Sequence, residues 1–217
     1  MNKFADFFYN QPKTKAIHKW VHYFDIYDKH FNKFKSKNPV ILEIGVQNGG
    51  SLDMWNYYFD NNCKIYGVDI DETCKKFQRD NIVIHIGDQE DKNFWDWTDG
   101  LEFDIIIDDG GHYMNQQIRS YEILYDKVKD NGVYLCEDTH TSYWSDYRGG
   151  LLKKDTFIEY TKNFIDLINA YHVNYECSNP PISLDFRKKT SCISYYDSIV
   201  VLDKKIDNEP PYSIVKK

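Results

Sequence analysis

The chain has 217 residues, of which 41% are hydrophobic and 17% aromatic, enough for one domain around a single large core. Its formal net charge of -7, without a long basic block, argues against a nucleic-acid-binding protein and favours a small-molecule partner. No apolar signal sequence, membrane-length apolar stretch or C-x-x-C pair occurs, so we expect a cytoplasmic protein, detached from membranes, with reduced cysteines.

The N-terminal region predicts one amphipathic helix. Apolar side chains recur at steps of three and four over residues 14–35, as on one face of a helix. Pro39 disfavours helical backbone at Asn38 and therefore ends the pattern. We expect residues 1–37 to form a helical segment that caps the core of a single domain spanning residues 1–217.

Buried strands and helices are predicted to alternate along the rest of the chain. The predicted strands span residues 40–44, 64–68, 82–86, 104–107 and 133–136, and the predicted helices span 51–59, 112–129 and 156–170. This alternation is typical of a Rossmann-like α/β fold, with a mostly parallel sheet covered by helices on both faces. Residues 191–203 predict one or two closing strands, including a C-terminal antiparallel one.

A glycine-rich loop follows the first predicted strand. The segment 43–51 reads EIGVQNGGS, and its glycines allow a sharp turn and a close approach to a ligand. The spacing differs from the G-x-G-x-x-G of nicotinamide sites, which disfavours a dehydrogenase, and no lysine follows as in a phosphate-binding loop. An ordinary strand-to-helix turn is the alternative interpretation.

Acidic and amide side chains follow the next two strands. Asp69 is placed to accept ribose hydroxyls, and Asp88 with Gln89 offers a carboxylate and an amide to an adenine edge. Singly, each could be a capping residue, but together they favour an adenosyl cofactor. Glu43 is a natural partner for the cationic end of a sulfonium cofactor. The predicted cofactor contacts are Glu43, Gly45, Gly49, Ser51, Asp69, Asp88, Gln89 and, from the next strand end, Asp108.

Two further strands each end in paired acids. The segments are DDGGH at residues 108–112 and EDTHTSYW at residues 137–144. If the strands are neighbours, Asp109, Glu137 and Asp138 converge and repel one another unless a cation neutralises them. Oxygen ligands favour Mg2+, with Mn2+ also suitable. Asp108 should point away from Asp109, so Asp109 is assigned to the metal. Asp138 as a turn cap is the alternative interpretation.

His112 is the predicted catalytic base. It follows Asp109 by three residues, which places it in the first turn of the next predicted helix, near the same edge of the sheet. A hydroxyl is a poor nucleophile for a methyl group until it loses its proton, and a neutral imidazole can accept that proton. His140 is a rival base, and a purely structural role for His112 is the alternative.

These two segments resemble the metal-dependent sugar O-methyltransferases of macrolide biosynthesis, of the mycinamicin and macrocin type, and the related cephalosporin hydroxylase and rhamnosyl O-methyltransferase family. The resemblance covers about residues 40–145. In that family the acid before Gly-Ser-His and the Glu-Asp pair hold Mg2+, and the histidine is the proposed base. The resemblance thus implies the same roles for Asp109, Glu137, Asp138 and His112. Gly111 stands in place of the family's serine.

The resemblance implies a class I methyltransferase fold and methyl transfer from S-adenosylmethionine to a hydroxyl of a sugar, glycoside or nucleotide sugar. It also implies a homo-oligomer, and the aromatic residues after Asp138 would suit stacking against a sugar ring. Two alternatives stay open. One is a catechol-type O-methyltransferase with a planar acceptor, and the other is an inactive protein that binds S-adenosylmethionine as a scaffold.

Overall fold

The computed structural model describes residues 2–12, 15–173, 183–207 and 209–216. The strands are β1 (Val40–Ile44), β2 (Lys64–Asp69), β3 (Ile82–Ile86), β4 (Phe103–Asp108), β5 (Val128–Cys136), β6 (Thr190–Tyr196) and β7 (Ile199–Lys204). The α-helices are α1 (Lys3–Asn10), α2 (Tyr23–Phe31), α3 (Gly50–Tyr58), α4 (Met114–Leu124), α5 (Phe157–Ile168) and α6 (Asp185–Lys189). Short 3-10 helices span Asn32–Phe34, Glu72–Phe77, Lys92–Thr98, Tyr125–Lys127, Thr139–Tyr143, Ser145–Tyr147 and Ala170–His172.

All seven described strands form one sheet in the order β3-β2-β1-β4-β5-β7-β6. Strands β1 to β5 pair in parallel, whereas β7 is antiparallel to both β5 and β6. The mostly parallel sheet and the C-terminal antiparallel strand are therefore confirmed. Parallel pairing places the carboxyl ends of β1 to β5 along one edge, where ligands bind in folds of this class.

Helices cover both faces of the sheet, as predicted. On β1, Ile41 packs with α1, α2 and α3 on one face, whereas Leu42 and Ile44 pack with α4 and α5 on the other. Successive side chains of a strand point to opposite faces, so a strand buried on both faces needs an unbroken apolar run. This explains why the sequence predicted these strands within a few residues.

The predicted helix over residues 14–35 is wrong in its first third. In the structure α2 begins at Tyr23, and residues 15–22 are irregular, with Trp20 and Val21 both more than half exposed. Their apolar spacing therefore matches a helical period without forming a buried face. The sequence analysis also missed α1, whose side chains Phe4 and Phe7 are buried and whose first turn is capped by Asn2.

The predicted helix over residues 112–129 is shorter in the structure. It begins at Met114, so His112 precedes the helix instead of lying in its first turn. His112 has a left-handed backbone with φ of 60°, which is incompatible with α-helix. At the other end, residues 128–132 join β5 instead of continuing the helix.

None of the helices in the described part of the chain has the length and apolar character that a membrane crossing requires.

We predict that Phe4→Ala lowers the free energy of unfolding by about 3–5 kcal/mol, because the ring is fully buried. Its ring stacks on that of Tyr58 at 3.7 Å between centroids, so truncation leaves a cavity between α1 and α3. Urea-induced unfolding measures the change. The matched control is Tyr9→Ala on the same helix, which is 57% exposed and should change stability by no more than about 0.5 kcal/mol. Equal effects of the two substitutions would show that α1 does not belong to the folded core.

Candidate active site

A cavity of about 420 Å³ opens at the carboxyl ends of β1, β2 and β4. Its walls are the glycine-rich loop after β1, the loops after β2 and β4, and residues 16–19 of the N-terminal segment. The structure thus brings together most side chains that the sequence singled out. Those that line the cavity are Gly45, Ser51, Asp69, Asp88, Gln89, Asp109, His112 and Asp138.

Gly45 fixes the distance between the glycine-rich loop and the acidic loop after β4. Its φ is +91°, and a Cβ at this position would lie 1.9 Å from the backbone oxygen of Asp109. Both the backbone conformation and the lack of space therefore require glycine. Gly49 has φ of +71° and precedes the first turn of α3, but it does not line the cavity.

Asp69 holds the glycine-rich loop through its carboxylate. One oxygen accepts hydrogen bonds from the backbone N–H groups of Val46 at 2.9 Å and Gln47 at 2.8 Å, and the other accepts from Asp71 N–H at 2.9 Å. The predicted contact with ribose stays a prediction. Asp71 also lines the cavity and was missed by the sequence analysis, although it follows Asp69 in the same short stretch.

Glu43 lies beneath the loop instead of in the cavity wall. Its fully buried carboxylate accepts hydrogen bonds from Ser51 Oγ at 3.0 Å and Trp55 Nε1 at 2.9 Å. Burial raises the pKa of Glu43 to about 7. Glu43 therefore ties α3 to β1, and its predicted contact with a cationic cofactor group stays untested.

Asp108 and Gln89 brace the loop that follows β4. The Asp108 carboxylate is buried outside the cavity and accepts hydrogen bonds from Gln89 Nε2 at 3.2 Å and Tyr134 Oη at 3.4 Å. Burial raises the pKa of Asp108 to about 7. The other end of the Gln89 amide accepts from Gly111 N–H at 2.9 Å. Cofactor contacts by these two side chains stay predictions.

Asp109, His112 and Asp138 form a cluster at the cavity. One donor atom from each lies within 4.8 Å of the others, and all three side chains are partly exposed. His112 Nε2 lies 3.5 Å from Asp138 Oδ2 and 3.9 Å from Asp109 Oδ1. The two carboxylates supply the oxygen ligands that Mg2+ or Mn2+ prefers. Asp108 and Asp109 point in different directions, as predicted.

Glu137 is not a member of this cluster, although it was predicted to bind the metal with Asp109 and Asp138. Its buried carboxylate accepts hydrogen bonds from Tyr27 Oη at 2.7 Å and Lys19 Nζ at 2.8 Å. Burial raises the pKa of Glu137, and the nearby Asp109 charge adds to this effect. Metal binding by Glu137 stays a prediction, and in this structure its partners are protein groups.

Lys19 joins Glu137 to the cluster, because its ammonium group also donates to Asp109 Oδ2. Burial favours the neutral amine, but the charges of Asp109 and Glu137 outweigh it and hold the pKa of Lys19 above its usual range. The ammonium therefore stays charged. The sequence analysis missed Lys19 because its partners lie 90 and 118 residues further along the chain.

Two alternatives were weighed for this region: Asp138 as a turn cap and His140 as the base. Asp138 precedes a 3-10 helix but makes no side-chain capping hydrogen bond, and its Oδ1 accepts from Tyr23 Oη at 2.7 Å. The capping role is therefore not observed. His140 does not line the cavity, and its Nδ1 lies 3.1 Å from Ser198 Oγ. Within the described residues, His112 Nδ1 is buried without a hydrogen-bond partner.

A scan against models of protein families finds none that matches this chain. Among curated proteins, the chain is 28% identical over 214 residues to demethylmacrocin O-methyltransferase of Streptomyces fradiae, covering 93% of this chain and 52% of the relative. It is 30% identical over 216 residues to mycinamicin VI 2''-O-methyltransferase of Micromonospora griseorubida, with the same two coverages. The chain thus spans about half the length of the curated relatives it matches.

Solved structures of methyltransferases are also similar to this chain. The chain is similar to the MycE methyltransferase of the mycinamycin biosynthetic pathway in complex with Mg and SAH, with a TM-score of 0.81 and 28% identity. This similarity covers 95% of this chain and 55% of that one. A structure named as a putative caffeoyl-CoA O-methyltransferase from Staphylococcus aureus matches with a TM-score of 0.59 at 12% identity, covering 88% of this chain and 86% of that one, which shows a shared fold alone.

We predict that Gly45→Ala weakens S-adenosylhomocysteine binding by at least about tenfold, because a Cβ forces the two loops apart at a positive φ. Calorimetric titration measures the affinity. Gly100→Ala is the matched control, since Gly100 also has positive φ, at +78°, but has nothing within 4 Å of an added Cβ. It should cost stability of about 1 kcal/mol and leave the affinity unchanged. An unchanged affinity in Gly45→Ala would mean that the loops do not form the cofactor site.

Proposed function

We propose that this chain, a homologue of macrolide sugar O-methyltransferases with the class I methyltransferase fold, transfers a methyl group from S-adenosylmethionine to a hydroxyl of a glycoside. The observation that carries this proposal is the cluster of Asp109, His112 and Asp138 at the edge of the strand-end cavity. The cluster combines groups suited to a divalent cation with one group able to accept a proton.

The cofactor is proposed to bind in the cavity beside this cluster. The glycine-rich loop offers room for a close backbone contact, and the carboxylates of Asp69 and Asp71 lie at the end of β2, where ribose hydroxyls bind in related folds. Asp88 lies at the end of β3 on the same wall. Residues 16–19 line the cavity on another side.

Asp109 and Asp138 would hold a divalent cation, Mg2+ or Mn2+. When bound, the cation supplies Lewis acidity that lowers the pKa of a nearby hydroxyl. His112 Nε2, which lies 3.5 Å from Asp138 Oδ2, would accept the hydroxyl proton. The hydroxyl oxygen then forms a bond to the methyl carbon as the carbon–sulfur bond breaks.

The same geometry also supports a role for His112 as a metal ligand. Its Nε2 lies in the cluster with both carboxylates, so the ring could ligate the cation instead of accepting a proton. The two roles differ in an observable way. Loss of a ligand weakens metal binding, whereas loss of a base lowers turnover and leaves metal binding intact.

A row of exposed and partly exposed aromatic rings supports a sugar acceptor. We name this row, formed by Trp20, His140, Trp144, Tyr147 and Tyr113, the aromatic rim. Centroids of successive rings lie 6.0, 4.5, 6.1 and 5.3 Å apart, and the two tryptophans are half exposed. Exposed aromatic faces can pack against the C–H face of a sugar ring, and Tyr113 directly follows His112 in the chain.

The other candidate functions are weighed on the same site. A catechol-type acceptor would also stack on the aromatic rim, so an acceptor screen must include planar phenols. An inactive scaffold has no need for an imidazole beside two partly exposed carboxylates, which argues against it. Nucleotide sugars and a homo-oligomeric assembly remain part of the proposal, and size-exclusion chromatography with light scattering measures the assembly.

We predict that methyl transfer to glycosides is lost with EDTA and restored by Mg2+, and that Asp109→Ala and His112→Ala each lower kcat by roughly 10²–10⁴-fold. His172→Ala, which removes an exposed histidine outside the site, should leave kcat unchanged. Mn2+ titration of His112→Ala separates its two roles, since a base variant binds Mn2+ as the wild type does. Turnover that persists in EDTA would contradict a metal-dependent reaction.

We predict that Trp144→Ala raises the KM for a glycoside acceptor about tenfold, because a lost aromatic contact of about 1.4 kcal/mol corresponds to tenfold in affinity. The affinity for S-adenosylhomocysteine should not change, since Trp144 does not line the cofactor cavity. Tyr212→Ala is the control, as this side chain is 83% exposed and outside the aromatic rim. An unchanged KM in Trp144→Ala would remove the aromatic rim from the acceptor site.

A further inference from the structure

Lys19 lies where a cation is expected. Its side chain is 3% exposed, and its ammonium group contacts Asp109 Oδ2 and, at 2.8 Å, Glu137 Oε2. The aromatic ring of Tyr27 lies below the ammonium at 6.0 Å from its centroid, and the Tyr27 hydroxyl donates to the other oxygen of Glu137. The Lys19 ammonium is thus bound by two carboxylates, from the ends of adjacent strands, and lies near one tyrosine ring.

The pairing of β4 with β5 explains why a positive charge is needed beside Asp109 and Glu137. β4 and β5 are neighbours whose register pairs Asp108 with Cys136, so Asp109 and Glu137 follow side by side. Carboxylates this close repel each other, and burying Glu137 without a counter-charge is costly. The ammonium group of Lys19 reduces both the repulsion between the two carboxylates and the cost of burying Glu137. A divalent cation bound to Asp109 would serve the same purpose.

We infer that Lys19 is an internal counter-ion that competes with the divalent cation for Asp109 and must withdraw when the cation binds. This inference rests on the proposed metal site. One Asp109 oxygen is already engaged by the ammonium, and a positive charge at that position repels an incoming dication. Withdrawal of Lys19 also frees Glu137, which gives it the opportunity to join the metal site that the sequence predicted for it.

Withdrawal of Lys19 also changes the wall of the cofactor cavity. Residues 16–19 form that wall, and the Ala16 backbone oxygen packs so closely on Gly50 that a Cβ there would lie 2.3 Å away. A second ion pair joins Lys15, the residue before this wall, to Asp53 of α3, with 2.9 Å between the Lys15 ammonium and the Asp53 carboxylate. Release of Lys19 therefore loosens one end of the wall while Lys15 holds the other.

The test is Mn2+ binding, measured by electron paramagnetic resonance and calorimetry on the full chain without cofactor. Lys19→Met should bind Mn2+ at least about tenfold more tightly than the wild type, because the competing charge is gone. Lys15→Met is the matched control, since it removes an equal charge from the same segment without touching the cluster. It should bind Mn2+ like the wild type.

Equal or weaker Mn2+ binding by Lys19→Met would overturn the inference, provided that circular dichroism shows a folded chain. Should Lys19→Met fail to fold, Lys19→Gln and Lys19→Arg take its place: the neutral variant should bind more tightly than the wild type, and the charged one should not. Absence of Mn2+ binding in every variant and in the wild type would instead refute the metal site of the proposed function, and this inference with it.

Hydrogen exchange measures the withdrawal itself. In the wild type, saturating Mg2+ should increase the exchange of backbone amides in residues 16–22 by about tenfold or more, as expected when a local segment opens. In Lys19→Met these amides should exchange rapidly with or without Mg2+. Unchanged exchange in wild-type protein shown by calorimetry to have bound Mg2+ would mean that the metal and Lys19 share the site, and would overturn the competition.

Discussion

The repulsion between acids at neighbouring strand ends is the constraint on which this site depends. The parallel register of β4 and β5 places the carboxylates of Asp109, Glu137 and Asp138 at one edge of the sheet. Three partners of these groups reduce the repulsion: Lys19 supplies charge, and Tyr27 and Tyr23 donate hydrogen bonds. The N-terminal segment contributes the positive charge at this edge, because Lys19 pairs with both Asp109 and Glu137.

The glycine-rich loop after β1 and the acidic loop after β4 pack closely against each other. Gly45 contacts the backbone of Asp109, and Gln89 holds the Gly111 amide from the end of β3. A Cβ at Gly111 would lie 2.2 Å from Gln116 Oε1, so the space that the family's serine would occupy is filled by a glutamine side chain.

The sequence predicted the strands and the position of the site well, because both follow from local patterns. Apolar runs marked the strands, and parallel strands bring their carboxyl ends to one edge, which located Asp109 and Asp138 near His112. The prediction was poorer wherever a distant residue decides the outcome. Residues 15–22 have a helical apolar period, yet ion pairs to Asp53, Asp109 and Glu137 accompany an irregular backbone there. A pattern within twenty residues carries no information on such partners.

Covalent continuity connects the three parts of the proposed active site. Lys19 contacts the acids, the residues just before it line the cofactor cavity, and Trp20 just after it begins the aromatic rim. A displacement of the Lys19 backbone would therefore move Trp20 relative to His140, whose ring centroid lies 6.0 Å from that of Trp20. Exchange of the internal ammonium for a divalent cation would then reshape the acceptor side and the cofactor wall in a single step.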